Sequence, residues 1–379
     1  MLHSILQKNK QQLFIQSVVL FLLIAKLFSH NLWLADRVFP TAPPFDFLYN
    51  VPNQVHTILY ISSITCLILC FVKPGIHKLL PTIIILEIAS CLLDQNRWQP
   101  WEYQYVFMLF VLWFNKKNEG IALLLLTLII SSTYFYSGWQ KINSHYITLV
   151  WKKIFLEDFF GISTTITSRT SVLRLGYIIP LLEITFGITL FIKKTRKIAI
   201  VSIIAMHSLL LAIVGPGGIN YNLTVWSWNI AMITFLLLLW NSQADFKSLK
   251  KSTKSSYNWV PLIAWAFLPM LNFFGYWDYF LSSSLYSGRV DVCFIKLTNP
   301  PPNFVLKKYY KVKTTGDTSN IETIAMQTWT MDELDTPPYP QKRMYKKIKK
   351  QWLKKYPDLQ ARFLIVNRSS NKKIVEELQ

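Results

Sequence analysis

The chain has 379 residues, of which 52% are hydrophobic and 15% aromatic but only 16% charged. That is too oily for a soluble protein of this length, and it excludes the ordinary soluble enzyme and binding-module classes. The formal net charge of +20 does not point to nucleic acid, because the basic residues fall in short clusters between apolar runs and in the C-terminal tail.

The expected fold is therefore an all-α polytopic transmembrane bundle surrounded by membrane lipid, at residues 1–284, with a small α+β appendage at residues 285–379. In chain order, about nine apolar runs lie near 13–34, 55–73, 79–93, 103–115, 120–140, 171–192, 197–214, 222–240 and 258–281. A helix needs about 20 residues to cross the hydrocarbon, so the short third and fourth runs are tilted or partly re-entrant candidates. The basic N-terminal stretch leads into the first run without a small-x-small cleavage signal, which reads as an uncleaved first span.

Every second loop is basic: Lys8 and Lys10, Lys73 and Lys78, Lys116 and Lys117, "KKTRK" at 193–197, and "KSLKKSTK" at 247–254. Lysine-rich short loops stay cytoplasmic, so the N-terminus is expected inside. The alternate loops are rich in aromatics, prolines, asparagines and glycines and are expected outside, as is the tail. The expected location is a bacterial inner membrane. In the tail, "LYSGRVDVCFIKL" alternates like a strand and "PQKRMYKKIKKQWLKKY" reads as a basic helix. Four cysteines without CxxC or zinc spacing imply neither a disulfide framework nor a metal site.

Candidate chemistry concentrates in the outer half. Lys141 ends the apolar run of "STYFYSGWQKIN" and is either a headgroup anchor or a base or anion-binding group. In "DQNRWQPWEYQY", Asp94 and Arg97 are suited to fixing a loop or holding a substrate, while Trp98, Trp101, Tyr103 and Tyr105 form either an interfacial belt or the wall of a flat apolar slot. Lys26, Glu87, Glu183 and His207 lie within spans, where an unpaired charge is costly; they are expected either to share one pocket or to form structural pairs such as Lys26 with Glu87. The Gly-Pro-Gly-Gly break at 215–218 precedes Asn220, Asn222, Trp226 and Asn229, which could wall a cavity or simply follow a tight turn.

"YFYSGWQKIN" and "DQNRWQPWEYQY" together resemble two segments of the vitamin K-dependent gamma-carboxylases and their bacterial relatives, the horizontally transferred transmembrane (HTTM) domain proteins. The resemblance implies a bundle of this kind with Lys141 as the base toward a quinone-type cofactor, and with Asp94, Trp98, Tyr103 and Tyr105 in the family's outer loop. Trp101 stands where the carboxylase carries a histidine, and the tail is far shorter than the carboxylase's lumenal domain. "YIIPLLEITFGITLF" also resembles DoxX/DoxD-type membrane proteins, some of which pass electrons to quinone.

Two functions follow as expectations. One is a quinone- or lipid-linked enzyme, an oxidoreductase or a carboxylase-like lyase, with Lys141, Asp94, Arg97 and His207 in catalytic roles; Trp98, Trp101, Tyr103, Tyr105, Glu183, Asn220, Trp226 and Asn229 would bind substrate or quinone. The other is a non-catalytic membrane subunit that docks a protein partner through its basic tail. If Lys141 is a base, it is expected in an aromatic-walled pocket with no carboxylate in direct contact.

Overall fold

The computed structural model describes residues 10–76, 78–218, 222–311, 321–367 and 374–379. The principal helices are α1 (Lys10–Phe28), α2 (Asn53–Val72), α3 (Leu79–Leu93), α4 (Pro100–Phe114), α5 (Glu119–Gln140), α6 (Ile178–Thr189), α7 (Arg196–Val214) and α8 (Leu223–Leu238). Local chemistry starts several of them. Asn118 Oδ1 accepts the Ile121 amide at the head of α5, Asn222 Oδ1 accepts those of Thr224 and Val225 at the head of α8, and Pro100 fills the first turn of α4 without wasting an amide.

Among the described residues, five segments are long and apolar enough to cross a membrane: α1, α2, α5, Thr170–Thr189 (which contains α6) and α7. Helices α3 and α8 are apolar but shorter. This composition is compatible with an integral membrane protein, and Ile58, Ile61, Ile85, Leu181, Ile198 and Val201 all point outward, as side chains facing lipid do.

The nine apolar runs do not all return as crossing helices. The fourth becomes the 15-residue α4, wrapped almost entirely in protein. The ninth, expected over 258–281, breaks into the short turns Trp259–Leu262, Ile263–Phe267 and Leu268–Phe274. Pro261 and Pro269 interrupt the backbone ladder there, and Gly275, at φ 78°, ends it.

Helix α5 is the hub. Its residues from Ala122 to Tyr134 are all buried, so it has no lipid or water face over that length. It meets α6 at two glycines: a Cβ on Gly138 would lie 2.5 Å from the Pro180 carbonyl oxygen, and one on Gly187 would lie 2.7 Å from the Phe135 nitrogen. Where apolar side chains gain nothing by leaving lipid, such close backbone approach is what holds helices together.

The loops sort to two ends. Asn115 Nδ2 donates to Asn258 Oδ1, Arg196 donates to the carbonyls of Leu190, Ser242 and Ala244, and Phe191 stacks on Phe246. The basic loops at 116–117, 193–197 and 247–254 therefore share one end. The aromatic loops at 34–50 and 94–99 gather at the other, together with the tail.

The tail has the expected strand and basic helix. Strands β1 (Val292–Thr298), β2 (Ile321–Ala325), β3 (Ala361–Asn367) and β4 (Ile374–Glu377) form an antiparallel sheet in the order β2-β1-β3-β4. Alternate β1 residues Cys293, Ile295 and Leu297 point inward, and Trp329 of α9 (Met326–Leu334) packs edge-on to Trp352 of α10 (Lys342–Lys355) with ring centroids 5.6 Å apart. The appendage is fastened to the bundle. Glu333 Oε1 accepts the amides of Val38 and Phe39, Phe39 meets the Trp329 ring at 4.8 Å, and Lys347 Nζ donates to the carbonyls of Pro43 and Pro44. Gln99 donates to Pro337 O, and Asn222 to Asp335 O.

Candidate functional site

The sequence-derived candidates do not converge on one pocket. They fall into four places.

At the appendage end, Asp94 and Arg97 fix loops. Asp94 Oδ1 accepts from the Ala42 amide and from both nitrogens of Asn96, while Oδ2 accepts from Arg37. Burial works to raise the Asp94 carboxyl, but Arg37, Arg97 and the two amides outweigh it and hold it below the ordinary carboxylate value. Arg97 is fully buried and donates to the carbonyls of Leu32, Trp33 and Ser90, to Ser90 Oγ, and to His56 Nδ1 at 2.8 Å. Since a guanidinium only donates, His56 Nδ1 is an acceptor here. Every arm of Arg97 is thus spent on α2, α3 and the residues after α1. Of the two roles open to this pair, loop fixation is the one the contacts match. Arg37, which sequence inspection passed over, is its missing member.

The second place is inside the bundle. Lys26 Nζ donates to Glu87 Oε2 at 2.6 Å and sits 3.3 Å from the Trp33 ring centroid; Ser63 Oγ donates to Glu87 Oε1. Trp101 packs edge-on to Trp33 and tilted against Tyr105, so both aromatics line this buried cluster.

The third holds Lys141. Its Nζ donates to Glu183 Oε1 at 2.6 Å, to Oε2 at 2.7 Å and to Ser137 Oγ at 2.9 Å. The expectation of a lysine free of direct carboxylate contact is therefore overturned. Gly138 draws α6 so close to α5 that Glu183 arrives on top of the lysine. Three acceptor atoms surround Nζ, so the lysine is engaged as the partner of Glu183 and Ser137. Nearby, Tyr134 Oη lies 2.6 Å from His207 Nε2, and His207 Nδ1 lies 2.7 Å from Asn229 Oδ1. Asn229 Nδ2 donates to Val225 O, so its oxygen faces the ring; a neutral His207 then carries its proton on Nδ1 and accepts from Tyr134. The idea of one pocket collecting Lys26, Glu87, Glu183 and His207 gives way to two separate polar clusters. Trp226 serves elsewhere, its Nε1 donating to Val214 O across the turn between α7 and α8. Asn220 lies outside the described residues.

The fourth place is an apolar groove of about 540 Å³ between α4 and the broken segment, lined by Trp98, Tyr103, Phe107, Ile263, Leu268 and Trp277 among others. Tyr103 stacks on Trp265 with centroids 5.0 Å apart. The Nε1 atoms of Trp265 and Trp277 are buried and have no hydrogen-bond partner among the described residues. Trp98 and Tyr103 were legible as slot walls, but Trp277 had no signal beyond following Gly275.

No protein-family model, curated protein or solved structure matches the chain.

Proposed function

We propose that the protein is a multi-pass membrane protein that binds a lipid-soluble ring or acyl chain in the groove between α4 and the 259–281 segment, the quinone- or lipid-linked role of a gamma-carboxylase-like protein. The observation that supports this most is the groove itself: flat aromatic walls beside two buried indole N–H groups, of Trp265 and Trp277, without partners among the described residues, a combination suited to an apolar body carrying a carbonyl or ester oxygen. Lys141 is a structural partner of Glu183 in the resting protein, and any base chemistry there begins with opening that pair. Filling the groove with Val260→Trp, at a lining position that is 47% exposed, is expected to remove the lipid or quinone that copurifies with the wild type, while the unfolding temperature stays near wild type. Mass spectrometry of solvent extracts reads the ligand, and identical extracts from the two proteins would sink the proposal.

The finer topology belongs to the same proposal. About nine passes, counting the short α4 and the broken 259–281 segment among them, with the N-terminus in the cytoplasm put the basic-loop end inside and the appendage outside, in keeping with the sorting of the loops to opposite ends. Fluorescent-protein fusions at residues 118, 195 and 250 are expected to fluoresce in cells, and an alkaline phosphatase fusion at 379 to be active. The reverse pattern at 379 would overturn the orientation.

A second role, docking a partner through the basic tail, has less to support it. Lys347 and Lys350 of α10 are already engaged with Pro43, Pro44 and Asp46 of the same chain.

A further inference from the structure

Glu102 stands in the first turn of α4 with 0% exposure, and among the described residues no N–H or O–H group donates to either of its carboxylate oxygens; the one group within hydrogen-bond reach is the Glu87 carboxyl, a pairing that needs a proton between the two acids. It lies within electrostatic reach of both Glu87 and Lys26. Glu87 has none of its own acceptor atoms idle, since Lys26 occupies Oε2 and Ser63 occupies Oε1. The groups facing Glu102 are Lys26 from α1, Glu87 and Cys91 from α3, and Tyr105 from its own helix, whose hydroxyl is also buried without a partner among the described residues; the Arg97 guanidinium reaches Glu87 and Cys91 electrostatically, but its hydrogen bonds go to Leu32, Trp33, Ser90 and His56. Of the cations near this pair of carboxyl groups, Lys26 is the one in reach of Glu102, and it is committed to Glu87. An ionised Glu102 would leave one negative charge uncompensated in an apolar interior, which is the costliest state available to it. The helix N-terminus favours an anion, but none of its amides donates to this one.

We propose that the Glu87 and Glu102 pair is a buried proton-binding site, with Glu102 holding one proton as a neutral acid beside the ionised Lys26–Glu87 pair. The ligand is the proton itself: it balances the charge without needing space, and it gives the site a hydrogen-bond donor. Release of the proton requires a compensating change next to it, either a cation entering or Lys26 turning from Glu87 to Glu102. The cluster thereby ties proton uptake to the ion pair that joins α1 to α3.

The test is infrared spectroscopy of the purified protein at neutral pH. A neutral carboxylic acid has a carbonyl stretch above the amide I band; that band is expected in the wild type, lost in Glu102→Gln, and kept in Glu183→Gln. Glu102→Leu serves as the second variant should the glutamine protein fail to fold. Added sodium is expected to leave the wild-type unfolding temperature unchanged. Equal spectra for the wild type and the Glu102 variants overturn the proposal, and so does a sodium-dependent rise in stability without the acid band, which would make this a monovalent cation site.

Discussion

Replacing Lys26 with methionine is expected to destabilise the folded protein by about 3–5 kcal/mol, the range for breaking a buried ion pair by removing one partner. Lys26 and Glu87 are both fully buried and 2.6 Å apart, so the variant leaves a carboxylate in the bundle that already contains Glu102. It also removes the cation from the Trp33 ring, a smaller loss of about 0.5–2 kcal/mol. Most of the cost comes from the stranded charge and not from the lost attraction. The double variant Lys26→Met/Glu87→Leu is therefore expected to recover much of the stability, because it removes the charge that the single variant strands. Unfolding of the detergent-solubilised protein, followed by tryptophan fluorescence, gives both values. A double variant as unstable as the single one would show that the cost lies in packing.

The second large effect is at the α5/α6 contact. Gly187→Val is expected to cost more than the 1–3 kcal/mol typical of core overpacking. Even the first added carbon would fall 2.7 Å from the Phe135 nitrogen and 2.8 Å from the Ser131 carbonyl oxygen, both backbone atoms that cannot rotate away. Gly138→Ala should act in the same direction through Pro180 O and the Glu183 and Ile184 side chains. Separating the helices also pulls Glu183 from Lys141, so packing and ion pair fail together. Gly75→Ala is the control: nothing lies within 4 Å of its added carbon, and little change is expected. If Gly187→Val melts with the control, α5 and α6 do not pack as described.

The helices long and apolar enough to cross a membrane were legible because an apolar run is a local property. So were the strand at Val292–Thr298 and the basic helix at Lys342–Lys355, where side-chain period alone separates the two. The ninth run misled because hydropathy does not register what Pro261 and Pro269 do to a helix. The pairing of Lys26 with Glu87 could be named as an option, since an intramembrane cation needs a counter-charge. Which acid would reach Lys141 was beyond sequence, because it depends on how near Gly138 and Gly187 let two helices come. Arg37 and Glu333 escaped notice for the same reason: Arg37 finds Asp94 57 residues away, and Glu333 finds Val38 295 residues away.

The fastening of the appendage has a consequence for biosynthesis. Pro43 and Asp46 are translated 304 residues before the lysines that hold them, Lys347 and Lys350. At 5–20 residues per second, that is a delay of roughly 15–60 s. Throughout it the first loop, with Phe39 and the Val38 amide, waits without its partners from α9 and α10. The helices can form and pack one after another during this time, but the end of the bundle that carries Asp94 and Arg97 is sealed only when the ribosome has passed residue 350.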